Sequence, residues 1–289
     1  MPQLPRLFID PSATAPPAMA GQAYDPTVKW AEIASTQVFL DPPLADPAQP
    51  PALGAVRVVC VSDTHGRNLD HLVIPEGDIL VHAGDFSLSG TQQEVQGIAD
   101  WLRAQPHKHK VIIAGNHDLS FDEEYLKKGR RRVNGDPGAI RSLLVGQDFC
   151  HYLQDEAITF PDLGNLRLYG TPWTPEFCSW AFMADRGAPL QAKWAQIPSD
   201  TDILVVHGPP LGRGDACAHG GRAGSLDLLE EIQTRVKPAL CVYGHIHEGY
   251  GASSDGVTTY VNAATCDLQY KARQPAMVVD VVPRAGPVR

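Results

Sequence analysis

Nowhere does this sequence gather the roughly 18 consecutive apolar residues that a membrane-crossing helix needs, so no membrane partner is expected. Its start lacks the charged residues and apolar centre of a secretory signal, and a cytoplasmic location is the expectation. The six cysteines, Cys60, Cys150, Cys178, Cys217, Cys241 and Cys266, are scattered, with no Cys-x-x-Cys among them. Cys60 and Cys241 fall inside apolar runs and read as small buried hydrophobes in a reducing compartment. Basic residues are in the minority. The 24 Lys and Arg stand against 33 Asp and Glu, and the net charge of −9 argues against the basic face of a nonspecific nucleic-acid binder. No stable nucleic-acid partner is expected, and the sequence does not set the oligomeric state. The glycine-rich stretch 212–224 has no strand leading into Gly-x-x-x-x-Gly-Lys, which removes a P-loop.

What is present has the organisation of an α/β protein. At 289 residues the chain is long for one domain, yet large α/β units reach this size and bury a substantial core. Residues 1–54 are rich in Pro and Ala and read as an extended strap or arm, of which only 29–40 is apolar enough to dock; residues 55–289 read as the main domain. Short runs rich in β-branched residues, at 58–61, 79–81, 111–113, 203–206 and 240–242, predict buried strands. Residues 94–103 place Val95, Ile98, Ala99 and Leu102 on one helical face, and 225–236 does the same with Leu226, Leu229, Ile232 and Val236. Later strands at 258–261 and 277–282 have no clear helix between them, which predicts a second, mixed sheet packed on the first. The alternation by itself gives only α/β.

A polar cluster comes directly after each of the first five runs: Asp63-Thr64-His65, Gly84-Asp85, Gly115-Asn116-His117-Asp118, His207-Gly208, and Gly244-His245-Ile246-His247. Strands lying side by side deliver the residues beyond their carboxyl ends to one sheet edge, where open α/β sheets bind ligands. The donors are Asp63, His65, Asp85, Asn116, His207, His245 and His247. Imidazole with carboxylate suits manganese, iron or zinc; an all-oxygen set would indicate calcium or magnesium, and thiolates structural zinc. Asp85, alone after its strand, is the natural carboxylate to bridge two ions, and paired ions clamp the attacking and leaving oxygens of an in-line displacement at phosphorus.

The order of these clusters resembles the calcineurin-like metallophosphoesterase superfamily over residues 56–282. Longer stretches, Val59-Cys60-Val61-Ser62-Asp63-Thr64-His65, Tyr169-Gly170-Thr171-Pro172-Trp173-Thr174-Pro175, His207-Gly208-Pro209-Pro210-Leu211-Gly212 and His245-Ile246-His247-Glu248-Gly249-Tyr250-Gly251, are similar to the metallophosphoesterase-domain-containing, brain-type phosphodiesterases. The resemblance implies a four-layer αββα sandwich of two mixed β-sheets flanked by helices, with 55–289 as the metallophosphoesterase domain. It also implies two divalent ions, manganese first, with iron or zinc as alternatives. Asp63, His65, Asp85 and His247 would hold one ion, and Asp85, Asn116, His207 and His245 the other, with a hydroxide between them as nucleophile. His117 is left outside the metal shell, in position to protonate the leaving oxygen. Asp118 would either orient His117 or cap the following helix. Some animal members carry glycine at the position of His245, so this chain reads as the metal-complete version.

Other residues have plainer readings. His82 and His151 read as satisfied polar residues, and His107 and His109 as a solvated turn. The basic run 127–132 reads as a solvated helix end. Trp173, Phe177, Trp180 and Phe182 could stack on a base, with core or loop packing as the alternative. The 212–224 loop is expected to be mobile, with Arg213 and Arg222 as phosphate-contact candidates. The resulting expectation is a metal-dependent phosphodiesterase acting on small phosphoesters, cyclic nucleotides in particular. The alternatives are a phosphomonoesterase or protein phosphatase, and a nucleotide-binding regulatory module with low turnover. Gly84-Asp85-Phe86-Ser87-Leu88-Ser89-Gly90 lacks the second Asp and the Arg of the Gly-Asp-x-x-Asp-Arg-Gly phosphatase pattern, which weighs against the first alternative.

Overall fold

A computed structural model describes residues 24–129 and 133–284. The strands, in chain order, are β1 (Val56–Val61), β2 (Ile79–His82), β3 (His109–Ile112), β4 (His151–Tyr152), β5 (Glu156–Phe160), β6 (Leu166–Thr171), β7 (Thr174–Pro175), β8 (Met183–Ala184), β9 (Ile203–Val206), β10 (Leu240–Tyr243), β11 (Gly251–Ser254), β12 (Thr259–Asn262) and β13 (Met277–Val281). Five form one sheet in the order β13-β1-β2-β3-β4, six form a second in the order β11-β12-β10-β9-β6-β5, and β7 pairs with β8 apart from both. Both large sheets are mixed. β1 to β4 run parallel with β13 antiparallel at the edge, while β12, β10, β9 and β6 run parallel between antiparallel β11 and β5.

The apolar runs lack polar alternation because each strand is covered on both faces. Val58 and Cys60 point into the layer between the sheets, where they meet Ile203, Val205, Leu240 and Val242 of the other sheet. Val59 and Val61 point the other way, onto the helix Gln92–Ala104. Leu204, Val206, Cys241 and Tyr243 likewise turn outward, onto Leu190, Trp194, Leu228 and Ile232 of the helical layer beyond. Side chains alternate across a strand, so three apolar layers separate four layers of backbone, the αββα sandwich.

The helix Gln92–Ala104 opens with a capping box between Thr91 and Glu94 and buries Val95, Ile98, Ala99 and Leu102, the face expected of 94–103. The 225–236 segment departs from a plain helix. It is α-helical over Leu226–Glu231 and π-helical over Ile232–Val236, so Leu228 takes the buried place expected of Leu226. The expectation that 277–282 belongs to the second sheet is corrected: β13 pairs antiparallel with β1 in the first sheet, and β12 joins β10 in the second. His107 and His109 do not form a solvated turn. His107 is buried with Nε2 against the Pro75 carbonyl at 2.9 Å, and His109 opens β3 beside Asp162. The arginines of the 127–132 run lie outside the described residues, while Lys127 ion-pairs with Glu124 at the helix end.

Candidate metal centre

The five donor clusters do not share one sheet edge. β1, β2 and β3 bring three from the first sheet, and β9 and β10 bring two from the second, so the donors meet where the carboxyl ends of both sheets converge. The sheets are tied there by backbone: the Thr265 N–H donates to the Ser62 carbonyl at 2.7 Å, and the Cys266 N–H donates to that of Asp63 at 3.2 Å. The turns are sharp. Asp63, His65, Asp85 and His245 all hold left-handed φ angles, 51°, 47°, 53° and 66°. For residues bearing a Cβ, such backbone costs about 1–3 kcal/mol each and persists where the surroundings fix it, most often at functional sites. The motif glycines have a steric reason. A Cβ on Gly244 would overlap the Asp63 carboxylate, and one on Gly84, itself at φ 96°, would lie 2.6 Å from His207 Nδ1.

Among the described residues, three groups of metal-type atoms lie within 4.8 Å of one another: Asp63, His65 and His247; His65, Asp85 and His117; and Asp85, His207 and His245. His65 Nε2 and His247 Nε2 are 3.0 Å apart, and His247 Nε2 is 3.4 Å from Asp63 Oδ1. Asp85 Oδ2 is 3.4 Å from His207 Nε2 and 3.9 Å from His65 Nε2, so this one carboxylate touches both halves. Asn116 Oδ1 faces His207 Nε2 at 3.0 Å. His245 is half-buried, while the other six donors are buried.

These atoms converge as acceptors. His207 Nδ1 donates to the Ala83 carbonyl at 2.9 Å and His247 Nδ1 to that of Asp267 at 3.0 Å, which leaves each neutral ring with an Nε2 lone pair aimed at oxygen. Lone pairs facing carboxylates demand positive charge between them. Burial alone would lower both imidazoles, but the Asp85 charge raises His207 to about 9, and the hydrogen bond and charge of Asp63 raise His247 to about 9. Burial lowers His65 to about 4 and His245 to about 3, keeping those rings neutral, as ligation requires. The donor set thus fits divalent cations: carboxylate and imidazole in shared nests, with a buried negative charge in each.

His117 and Asp118 sit differently from each other. His117 Nδ1 donates to the Leu88 carbonyl at 2.8 Å, leaving Nε2 for the cleft, and its ring packs tilted against Trp180 at 4.3 Å and edges onto His65 at 4.8 Å. Asp118 neither orients the His117 ring nor caps the 3₁₀ turn Leu119–Phe121 with its side chain. Its buried carboxylate accepts the Ser87 N–H at 2.9 Å, the Ser87 hydroxyl at 2.6 Å and the Gly115 N–H at 2.8 Å, clamping the loop after β2 to the loop after β3.

Above the donors opens a cleft of about 580 Å³. Phe177 and Trp180 line it, whereas Trp173 is turned to Asp155 and Lys193, and Phe182 is buried, so the aromatic group is divided between cleft and core. Arg222 lines the cleft and Arg213 does not. Arg213 is fully buried between Phe39 and Tyr260, which removes it as a phosphate contact. Nor does the 212–224 loop stand free, since Gly212 is packed against Trp30. His82 is buried, with Nε2 2.9 Å from Thr64 Oγ1, and His151 is exposed, both apart from the donor groups.

Two contributors escaped the sequence reading. Tyr270 places its ring against His65 at 4.8 Å and His247 at 5.2 Å, and no pattern around it marks this. Asn262 donates to the Ile246 carbonyl at 2.8 Å and accepts the Ala264 N–H at 3.1 Å, holding the loop that carries His245 and His247. It ends β12, so the rule that found the other clusters could have found it.

Comparison with known proteins agrees with this geometry. The calcineurin-like phosphoesterase family model matches residues 56–249. Human metallophosphoesterase domain-containing protein 1 is 42% identical over 255 residues, covering 84% of this chain and 76% of the human protein. The UPF0046 protein T07D4.2 of Caenorhabditis elegans is 34% identical over 278 residues, covering 89% and 68%. One solved crystal structure superposes with a TM-score of 0.51 at 14% identity, over 78% of this chain and 98% of that one, a likeness of fold. The chain belongs to the calcineurin-like phosphoesterase family.

Proposed function

We propose that the protein is a dinuclear metal-dependent phosphodiesterase that hydrolyses small phosphoesters, cyclic nucleotides among them. The observation that carries this reading is Asp85, whose carboxylate belongs at once to the His65 group and to the His207 and His245 group. Asp63, His65, Asp85 and His247 would hold one ion, and Asp85, Asn116, His207 and His245 the other, with manganese as the first candidate. When bound, the ions supply Lewis acidity at the phosphoryl group and a nucleophile at neutral pH.

The chain's own groups do the rest. The Ala83 and Asp267 carbonyls fix the tautomers of His207 and His247, so each presents Nε2. The Leu88 carbonyl holds the Nδ1–H of His117 in the same way, so that the imidazolium form turns its Nε2–H to the leaving oxygen. Asp118 holds together the two loops that bear Asp85 and Asn116. Trp180 and Phe177 offer flat apolar faces beside the donors, suited to the base of a nucleotide.

The deciding assay compares bis(p-nitrophenyl) phosphate with p-nitrophenyl phosphate, with and without manganese, alongside elemental analysis of bound metal. Diester turnover above monoester turnover with two ions per chain is the expected result; preference for the monoester would favour a phosphatase. Asp85→Asn should lose metal and nearly all turnover while keeping its fold. Two bound ions and normal activity in that variant would refute the bridging assignment.

A further inference from the structure

The cleft over the donors has the volume of a pocket for one small organic ligand, and part of its wall is built by neither sheet. Asp25, Pro26 and Thr27 stand in that wall, next to Arg222. They belong to the N-terminal arm, which is fastened at several points. The Tyr24 hydroxyl donates to Asp227 at 3.0 Å and accepts the Leu226 N–H at 2.7 Å. The Arg222 N–H donates to Thr27 Oγ1 at 3.1 Å. Trp30 lies under the Arg222 guanidinium at 4.4 Å and against Gly212, where any Cβ would collide with the indole. Farther along, Arg213 packs under Phe39 at 4.3 Å and donates to the Val38 carbonyl at 3.0 Å.

We propose that this arm is a substrate-selecting wall, fastened by Trp30, that admits mononucleotide-sized phosphodiesters to the donors and shuts out polymeric ones. The proposal rests on the phosphodiesterase reading above. A nucleic-acid strand continues past the scissile phosphate in both directions and needs an open groove along its backbone. Here the first turn of the helix Pro26–Ile33 stands in the wall, with Asp25 accepting the N–H groups of Thr27 and Val28. Arg222 spends one guanidinium nitrogen on buried Asp215, and its other guanidinium N–H groups have no hydrogen-bond acceptor among the described residues. The wall therefore offers a held, always charged donor to the part of a small anionic substrate that lies beyond the phosphate. Trp30 is a positioning residue: it sets where Arg222 and the arm stand.

The test uses the full manganese-loaded chain with bis(p-nitrophenyl) phosphate, a nucleoside 3′,5′-cyclic phosphate and a short single-stranded oligonucleotide. In Trp30→Ala the ratio of oligonucleotide to bis(p-nitrophenyl) phosphate turnover should rise about tenfold or more, while kcat/KM on the small diester falls less than about threefold. Hydrogen exchange over 26–33 reports whether the arm has loosened, and a loosened arm with an unchanged ratio overturns the proposal. Should that variant misfold or its arm stay fastened, Thr27→Trp decides. It gives up the Thr27 Oγ1 bond to Arg222 but keeps the Tyr24 and Trp30 fastenings, adds bulk to the wall, and should raise KM for the cyclic nucleotide about tenfold with kcat within about threefold. Unmoved KM for every diester that the parent hydrolyses would mean that the wall does not face substrate. If the parent turns over bis(p-nitrophenyl) phosphate but no cyclic nucleotide, the nucleotide reading alone fails, because the oligonucleotide ratio still decides the wall. No turnover of any diester removes both.

Discussion

His117 shows how much a single carbonyl decides. With Nδ1–H committed to Leu88, the ring can present only Nε2 to the cleft, and Trp180, packed tilted against it, limits rotation. His117→Ala should therefore keep both ions and lower kcat by about 10²–10⁴ on esters with poor leaving groups. Nitrophenyl esters, whose leaving oxygen needs less help from an acid, should lose far less. Steady-state rates on the two ester types check this, and equal losses would remove the acid role. His245 makes the complementary case. Its ring lies 5.1 Å from that of His207, its backbone is left-handed, and its N–H donates to both oxygens of Asp63 at 3.0 Å. His245→Gly relieves the backbone strain and deletes an imidazole from the group with Asp85 and His207. A large fall in kcat/KM, partly restored by excess manganese, is the expected outcome. Unchanged metal stoichiometry and kcat/KM would show that His245 is not a ligand.

At the scale of elements, the site is a set of strand ends held in register by buried polar side chains. Asn262 is fully buried and supplies the cross-link from β12 to the loop after β10. Asn262→Ala would strand the Ala264 N–H and leave the Ile246 carbonyl with the Gly249 N–H alone, a cost of about 1–3 kcal/mol for the group left without a partner. Urea denaturation should read that loss as a lower midpoint, and metal titration should show weaker binding, because His245 and His247 ride on the loosened loop. A lower midpoint with unchanged metal affinity would mean that the loop keeps its shape without Asn262. Asp118 does comparable work on the other side, binding the loops after β2 and β3. These braces explain why ligand-type residues were easier to find in the sequence than their supports. Donor chemistry is written in residue type, whereas the role of an Asn or an Asp as a brace depends on which distant backbone group it meets.

For the whole molecule, the donors lie at the rim of three apolar layers that do not need them. Chelation should leave strand content by circular dichroism unchanged and lower the melting temperature by several degrees. An ion held at 100 times its dissociation constant contributes about 2.7 kcal/mol of stability. Restored manganese should return the melting temperature; a melt insensitive to chelator and metal alike would refute the metal centre. The strand runs, the face of the helix Gln92–Ala104, and the gathering of Asp63, Asp85, His207 and the other donors were legible in the chain, because apolar periodicity and ligand chemistry are local properties of residue type. Which sheet each strand joins was not legible. β13 closes on β1, and the donors come from two sheets rather than one, because pairing partners are chosen by long-range packing. The burial of Arg213, the docking of Trp30 on Gly212 and the ring of Tyr270 over the histidines likewise depend on segments far apart in the sequence. The sequence determined which groups could do chemistry and that the strand-end donors gather, because both are carried by local residue type and pattern; tertiary structure decided from which sheets they come and which distant residues brace and wall them, because those contacts depend on long-range packing.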